Sequence, residues 1–114
     1  MRTIHSEIFI EASPELVWSV LVHFGAYRRW NPFIRSVFVP RLAPGVPIQL
    51  SLHPPDSNAI TLRAIIQRVE PLKELTWIGH LWIPGLFDRE HSFHLEEKSG
   101  GVLFTQRERY RGVL

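Results

Sequence analysis

Apolar and polar side chains alternate along the opening segment of the chain. Isoleucines at positions 4, 8 and 10 fall on one side of residues 4–11, and two glutamates and a histidine fall on the other. Because successive side chains of a β-strand point to opposite faces, this alternation predicts a first strand over residues 4–11.

A helical insert is predicted after this strand. Ser13 is a good N-cap, and Pro14 suits the first helical position because its missing N–H is not needed there. Apolar residues then recur at helical spacing until Gly25 ends the helix. A second helix of one to two turns is predicted over residues 26–30, and Pro32 stops it because the residue before a proline avoids helical backbone angles.

Every later patterned segment alternates as a strand does. The six predicted strands cover residues 34–39, 46–53, 60–70, 74–82, 88–97 and 102–111. Proline and glycine fall mainly in the short breaks between them, and short turns between successive strands indicate antiparallel neighbours. The pattern therefore predicts an α+β fold in which seven strands form one curved antiparallel sheet, with two short helices inserted after the first strand.

The length and composition of the chain are typical of a single folded domain. A chain of 114 residues suits one domain, 1–114, and its apolar content of 45% suits a folded core. No apolar run is long enough for a membrane span, and because residues 1–5 lead straight into the alternating pattern, we expect no signal peptide. The chain has no cysteine, which removes disulfides and thiolate chemistry and fits a cytoplasmic location.

The basic charge balance does not indicate a nucleic-acid partner. The isoelectric point is near 9.5, but the arginines are scattered along the chain. Arg107, Arg109 and Arg111 alternate with Glu108 and Tyr110, so on a strand the arginines share one face. We interpret that face as solvated, and no nucleic-acid-binding motif accompanies it.

The histidines do not form a metal-binding pattern. His91 and His94 lie three residues apart on a predicted strand, so they face opposite sides and cannot chelate one ion together. No His-Glu-x-x-His motif, glycine-rich phosphate loop or Gly-x-Ser-x-Gly motif is present. We therefore expect no metal, no cofactor and no covalent catalysis.

The most informative pattern is a strand face that mixes polar and apolar side chains. Its candidate ligand-binding members on the later strands are Leu62, Ile66, Trp77, His91, Phe93, Phe104, Gln106, Glu108 and Tyr110. If the apolar members mark the inner side of the sheet, the polar members lie inside it as well. A few convergent polar groups in an apolar site are typical of small-molecule binding sites.

Glu108 and His91 leave three interpretations open. They orient a bound ligand, or they form an acid–base pair in which burial raises the pKa of the glutamate. In the third interpretation, Glu108 pairs with a neighbouring histidine or arginine and only closes the sheet. Glu108 and His91 are therefore the candidate catalytic residues, with no catalytic role assigned.

Three stretches carry a resemblance to a known family. The segments "ASPELVWSVL", "FGAYRRWNPF" and "PGLFDREHSFHLEE", set among the predicted strands, resemble the START-related helix-grip superfamily, also called SRPBCC. This is the polyketide cyclase/dehydrase and lipid-transport group. The resemblance covers essentially the whole chain, and it implies a fold more strongly than a function because members use one scaffold for different ligands.

The resemblance also implies a cavity between the sheet and a long C-terminal helix. The chain stops at Gly112-Val113-Leu114, where that helix is expected to begin. A sheet face left uncovered would be a large apolar patch, which monomers in solution avoid. We therefore expect either a homo-oligomer, such as a dimer across this face, or a shortened form of a longer gene product.

Two further segments have a predicted position at the ends of the cavity. In the resembling family the segment after the second helix closes one end, so Trp30 and Phe33 are candidate ligand contacts. The favoured interpretation is that Trp30 plugs the core. The apolar loop 81–87 is expected to be an entrance or a dimer contact rather than a membrane-touching tip, because no basic cluster flanks it.

Three functions follow from these observations. The leading hypothesis is the binding or carrying of a small hydrophobic ligand, such as a lipid, an isoprenoid or an aromatic polyketide. The alternative is a polyketide cyclase/dehydrase-type enzyme that uses a Glu/His proton-transfer pair. The third hypothesis is a protein-interaction domain that uses the open sheet face.

Overall fold

Seven strands form one antiparallel sheet in the order β1-β7-β6-β5-β4-β3-β2. The computed structural model describes residues 2–30, 34–52, 60–80 and 87–112. The strands are β1 (Arg2–Ile10), β2 (Ile34–Phe38), β3 (Pro47–Leu52), β4 (Ile60–Glu70), β5 (Glu74–His80), β6 (Phe87–Lys98) and β7 (Gly101–Gly112). One α-helix, α1 (Pro14–Leu21), and one 3-10 helix (Phe24–Arg29) lie between β1 and β2.

The strand predictions hold, with shifts of one or two residues at several ends. The prediction for β4 matches both of its ends. The first strand begins earlier and ends at Ile10 rather than at Glu11, because the last residue that pairs with β7 is Ile10. The predicted end of β5 at residue 82 lies outside the described residues, as do residues 81–86 of the apolar loop.

The helical insert begins as predicted and ends earlier. The Oγ of Ser13 accepts a hydrogen bond from the backbone N–H of Leu16 at 3.1 Å, and Pro14 occupies the first turn. The prediction that this helix extends to Gly25 is wrong. Beyond Val22 the backbone hydrogen bonds join residues two or three apart instead of four. The second predicted helix is accordingly a 3-10 helix rather than an α-helix.

Tyr27, rather than Trp30, is the buried aromatic side chain of this segment. Its hydroxyl donates to the backbone carbonyl of Leu21 at 2.6 Å, and its ring packs against Phe24 and Trp30. Tyr27 is fully buried, which raises the pKa of its hydroxyl. Trp30 remains 38% exposed, so the prediction that it plugs the core is wrong. Phe33 lies outside the described residues.

One face of the sheet carries the core, and we call it the inner face. Cross-strand pairing aligns alternate residues of neighbouring strands, so the apolar sets predicted from alternation fall on the same side. The inner face includes the buried residues Ile48, Leu50, Ala64, Ile66, Leu75, Trp77, Phe93, Leu95 and Val102. The opposite side is called the outer face.

Helix α1 covers part of the inner face. It packs against β6 and β7, and its buried residues Val17 and Leu21 join the same core cluster. Coverage decreases towards the edge strand β1, where Ile4 is 48% and Ile8 is 59% exposed. Self-association across the inner face stays a prediction. The described helices include none long and apolar enough to cross a membrane.

The β6–β7 hairpin brings the chain close to the end of β1. Residues 99 and 100 form its turn, and Gly100 adopts a φ of +83°, which favours glycine. The next residue, Gly101, lies against the backbone of Ile10. A methyl group at position 101 would overlap the carbonyl oxygen of Ile10 and come within 2.8 Å of the Phe9 ring.

We predict that Gly101→Ala lowers the free energy of unfolding by about 1–3 kcal/mol, because β1 must move away from β7. Chemical denaturation monitored by circular dichroism measures the change. Gly25→Ala is the matched control, since a methyl group there has no neighbour within 4 Å, and we expect it to change stability by less than about 0.5 kcal/mol. Equal stability of the two variants would contradict the close approach of β7 to β1.

Candidate functional site

A cluster of polar side chains lies on the inner face where β6 and β7 pair. Arg89 and His91 come from β6, and Glu108 and Tyr110 come from β7. In the register, His91 lies opposite Glu108 and Arg89 lies opposite Tyr110. Residues two apart on a strand share a face, so this register places all four side chains on one side of the sheet.

Glu108 is the centre of this cluster. Its Oε1 lies 2.7 Å from Nη2 of Arg89 and 3.1 Å from Nδ1 of His91, and its Oε2 accepts a hydrogen bond from the hydroxyl of Tyr110. Only 15% of the Glu108 side chain and 5% of the His91 side chain are exposed. The pairing that the sequence suggested between Glu108 and His91 is therefore present.

These contacts keep Glu108 ionised. Burial disfavours the charged form and raises the pKa, but the hydrogen bonds from His91, Tyr110 and Arg89 and the charge of Arg89 outweigh it. The pKa of Glu108 therefore lies well below its ordinary value. The expectation of a raised pKa for Glu108 is therefore wrong, because sequence alternation does not show that three donors converge on one carboxylate.

The pKa of Tyr110 shifts in the opposite direction to that of Glu108. Burial and the hydrogen bond to the Glu108 carboxylate raise the pKa of its hydroxyl, so it remains a donor at neutral pH. The guanidinium carbon of Arg89 lies 5.4 Å from the centre of the Tyr110 ring, which adds a cation–π contact. Arg89 was not among the residues predicted from the sequence, although its position two residues before His91 places it on the same face.

Aromatic rings surround the buried end of the cluster. The His91 ring centre lies 4.4 Å from that of Phe93 and 5.4 Å from that of Trp77. Phe93 in turn stacks on Phe104 at 5.9 Å. The cluster thus borders a continuous aromatic part of the core to which three neighbouring strands contribute.

The remaining predicted site residues fall in three places. Ile66 is buried and Leu62 is half-buried on the inner face of β4. Gln106 lies opposite Phe93 in the β6–β7 register and opposite Ser6 in the β1–β7 register, so it also shares the inner face. Trp30 packs on Tyr27 at the end of the 3-10 helix.

The outer face has a different character. An open groove of about 670 Å³ crosses it, and most of its polar side chains are paired with one another. Glu74 lies 3.6 Å from Arg68 and 3.8 Å from His94, and Glu90 lies 3.7 Å from Arg109. His94 is therefore on the side opposite His91, as predicted. In the described part of the chain, no group of three potential ligands is placed to hold a metal ion.

The architecture defines a class before any comparison of sequences. A curved antiparallel sheet of seven strands, with a helical insert after the first, matches the helix-grip type of fold. The model of the family described as polyketide cyclase/dehydrase and lipid transport matches residues 1–114. The chain belongs to this family, as the resemblance implied.

Solved structures share this fold. The protein DR_A0006 from Deinococcus radiodurans superimposes with a TM-score of 0.76 at 17% identity, covering 98% of this chain and 84% of that one. A START superfamily protein from Mycobacterium smegmatis gives 0.74 at 14% identity, covering 98% and 78%. StfQ, a di-domain ARO/CYC from the steffimycin biosynthetic pathway, gives 0.77 at 12% identity, covering 97% and 37%. No curated protein sequence matches this chain.

We predict that Glu108→Gln lowers the free energy of unfolding at pH 7 by about 1–3 kcal/mol, because three donors lose a charged acceptor. The folded-state pKa lies below the ordinary value of 4.5, so the carboxylate stabilises the fold above that pH and its contribution is lost as the pH falls. Denaturation measured from about pH 7 to about pH 3 should show a shallower acid-side loss in the variant.

The control for this experiment is Glu97→Gln, which removes an exposed carboxylate from the same pair of strands. We expect the control to follow the wild-type stability profile closely. If Glu108→Gln also runs parallel to wild type, the three donors do not stabilise the Glu108 carboxylate as described.

Proposed function

We propose that the chain binds a small hydrophobic molecule on the inner face of its sheet. The observation that carries the proposal is the meeting of accessible apolar side chains on the inner face, Ile4, Ile8 and Phe104, with one compact polar cluster around Glu108. An apolar surface supplies most of the affinity for such a molecule, and a few fixed polar groups orient it. The outer face, with its mutually paired charges, lacks this combination in the described residues.

The energetics of the cluster support a role in recognition. Placing a carboxylate among aromatic rings costs free energy unless its partners compensate, and an apolar residue of similar volume often stabilises a core as well or better. Arg89, His91 and Tyr110 supply the compensation for Glu108. A ligand that needs a polar contact gives a physical reason for a buried charged network at this position.

The family is consistent with this proposal. Its description joins polyketide cyclases and dehydrases with lipid transport, and one structural neighbour is named as a START superfamily protein. All of these descriptions suggest molecules with extended apolar surfaces. The inner face of this chain offers matching apolar chemistry in Phe104, which is partly buried, and in Ile4 and Ile8, which are exposed.

A second candidate function is cyclase or dehydrase chemistry. The observation that favours it is the geometry of the Glu108–His91 pair, in which a carboxylate orients an imidazole at 3.1 Å. A carboxylate that holds a histidine in one orientation is the arrangement by which many enzymes prepare a general base. In this candidate, His91 exchanges the proton with substrate and Glu108 positions it, since Glu108 itself stays ionised.

We predict that non-denaturing mass spectrometry of protein purified from cells shows a bound apolar molecule that organic solvent releases. Phe104→Gln should lower its occupancy about tenfold, because it replaces apolar contact area on the inner face with an amide. Leu103→Gln is the matched control, since the neighbouring side chain faces outward, where it lies opposite Phe9 and Glu96.

Comparing ligand retention in the two variants tests where the molecule binds. Retention of the molecule by the Leu103→Gln control, with loss from Phe104→Gln, supports the inner face as the site. Equal occupancy in both variants would place the molecule elsewhere, and wild-type protein free of any apolar molecule would count against the proposed function.

A further inference from the structure

A row of four side chains crosses the groove on the outer face. In the strand registers, Arg68 lies opposite Thr76, Thr76 lies opposite Ser92, and Ser92 lies opposite Arg107. All four residues line the groove, whose volume is about 670 Å³. Because neighbouring strands are about 4.8 Å apart, the row sets two hydroxyl groups between two arginines whose strands are about 14 Å apart.

Ser92 lies at the floor of this groove without a hydrogen-bond partner. The residue is only 5% exposed, and its hydroxyl makes no hydrogen bond within the part of the chain that the structure describes. Thr76 is buried to the same extent, but its hydroxyl donates to Oε2 of Glu74 at 2.8 Å. Since buried hydroxyl groups are nearly always paired, the groove is missing a partner for Ser92.

Arg107 carries a charge that no described carboxylate balances. Arg68 lies 3.6 Å from Glu74, and Arg109 lies 3.7 Å from Glu90, so each of these arginines has an acidic neighbour in the groove. Arg107 is half-buried and makes no ion pair with any described residue. The groove therefore has one excess positive charge, and it lies directly across the strand pair from the unpaired hydroxyl.

The donors of the row favour a phosphate group over a carboxylate. Arg107 and Ser92 approach from one side, and Arg68 approaches from the other. The Arg68 side chain is 68% exposed, and its ion pair with Glu74 is too long for a hydrogen bond, so the guanidinium can turn to a ligand at little cost. A phosphate monoester has three terminal oxygens for three donors, whereas a carboxylate has two.

We infer that the outer-face groove is a second binding site, which takes a small polar molecule through a phosphate monoester held by Arg107 and Ser92. This inference goes beyond the proposed function, because the groove lies on the side of the sheet opposite the inner face. The volume of the groove is in the range of small-molecule sites and leaves space for a polar body beside the phosphate.

Calorimetric titration of the full chain at low salt tests the inference with glycerol 3-phosphate as the probe and glycerol as its uncharged counterpart. Glycerol 3-phosphate should bind, and glycerol should not. Arg107→Gln should weaken binding about tenfold or more, because it removes a charged donor, and Ser92→Ala should weaken it about fivefold.

Arg63→Gln is the matched control, since it removes the same charge from an exposed position of β4 that does not line the groove. We expect it to bind glycerol 3-phosphate within about twofold of wild type. Equal weakening by Arg63→Gln and Arg107→Gln would overturn the inference, because the attraction would then be one of overall charge.

The same phosphate group also occurs on a lipid, so a second arm uses vesicles that contain phosphatidic acid in phosphatidylcholine. Binding of the soluble probe alone identifies a free phosphate ester as the ligand. Binding of the vesicles alone, lost in Arg107→Gln and kept in Arg63→Gln, identifies a lipid headgroup. Failure of wild type to bind either probe would overturn the inference and leave the proposed function of the inner face untouched.

Backbone amide NMR locates the site without any variant. Addition of the probe that binds should shift the amide signals of Thr76, Ser92 and Arg107 most strongly. Shifts confined to the N-terminal turn of α1, where free backbone N–H groups also attract anions, would overturn the assignment to the groove.

Discussion

The pairing of β6 with β7 is the constraint on which the site depends. Its register places Glu108 opposite His91 and Arg89 opposite Tyr110, so three hydrogen-bond donors reach one carboxylate on the apolar side of the sheet. A slip of β7 by one residue would turn Glu108 and Tyr110 to the outer face, away from Arg89 and His91, and would turn the outer arginines of β7 to the inner face. Fold and candidate chemistry are therefore set by the same ladder of backbone hydrogen bonds.

Position on the two faces explains why similar residues behave differently. His94 and Glu74 lie on the outer face, where their ionisable groups are 3.8 Å apart and the His94 side chain is 40% exposed. His91 and Glu108 lie on the inner face, where aromatic rings exclude water and every unpaired atom matters.

Much of the fold follows from alternation alone. The period of two in the later segments indicates the strands and the face that each side chain occupies, which is why His91, Glu108 and Tyr110 were predicted to share a face. The predicted end of the first helix at Gly25 is wrong because the spacing of apolar residues does not show where the backbone hydrogen bonds change to a shorter spacing. Arg89 and the direction of the Glu108 pKa were missed because both depend on contacts across strands.

The central claim is that the inner face holds a molecule that meets the polar cluster. A crystal structure of the protein as purified from cells tests this claim most directly. The account predicts electron density for a non-protein molecule against Phe104 and the exposed isoleucines of β1, in contact with the polar cluster around Glu108. An inner face filled only by the chain's own side chains or by ordered water would contradict it.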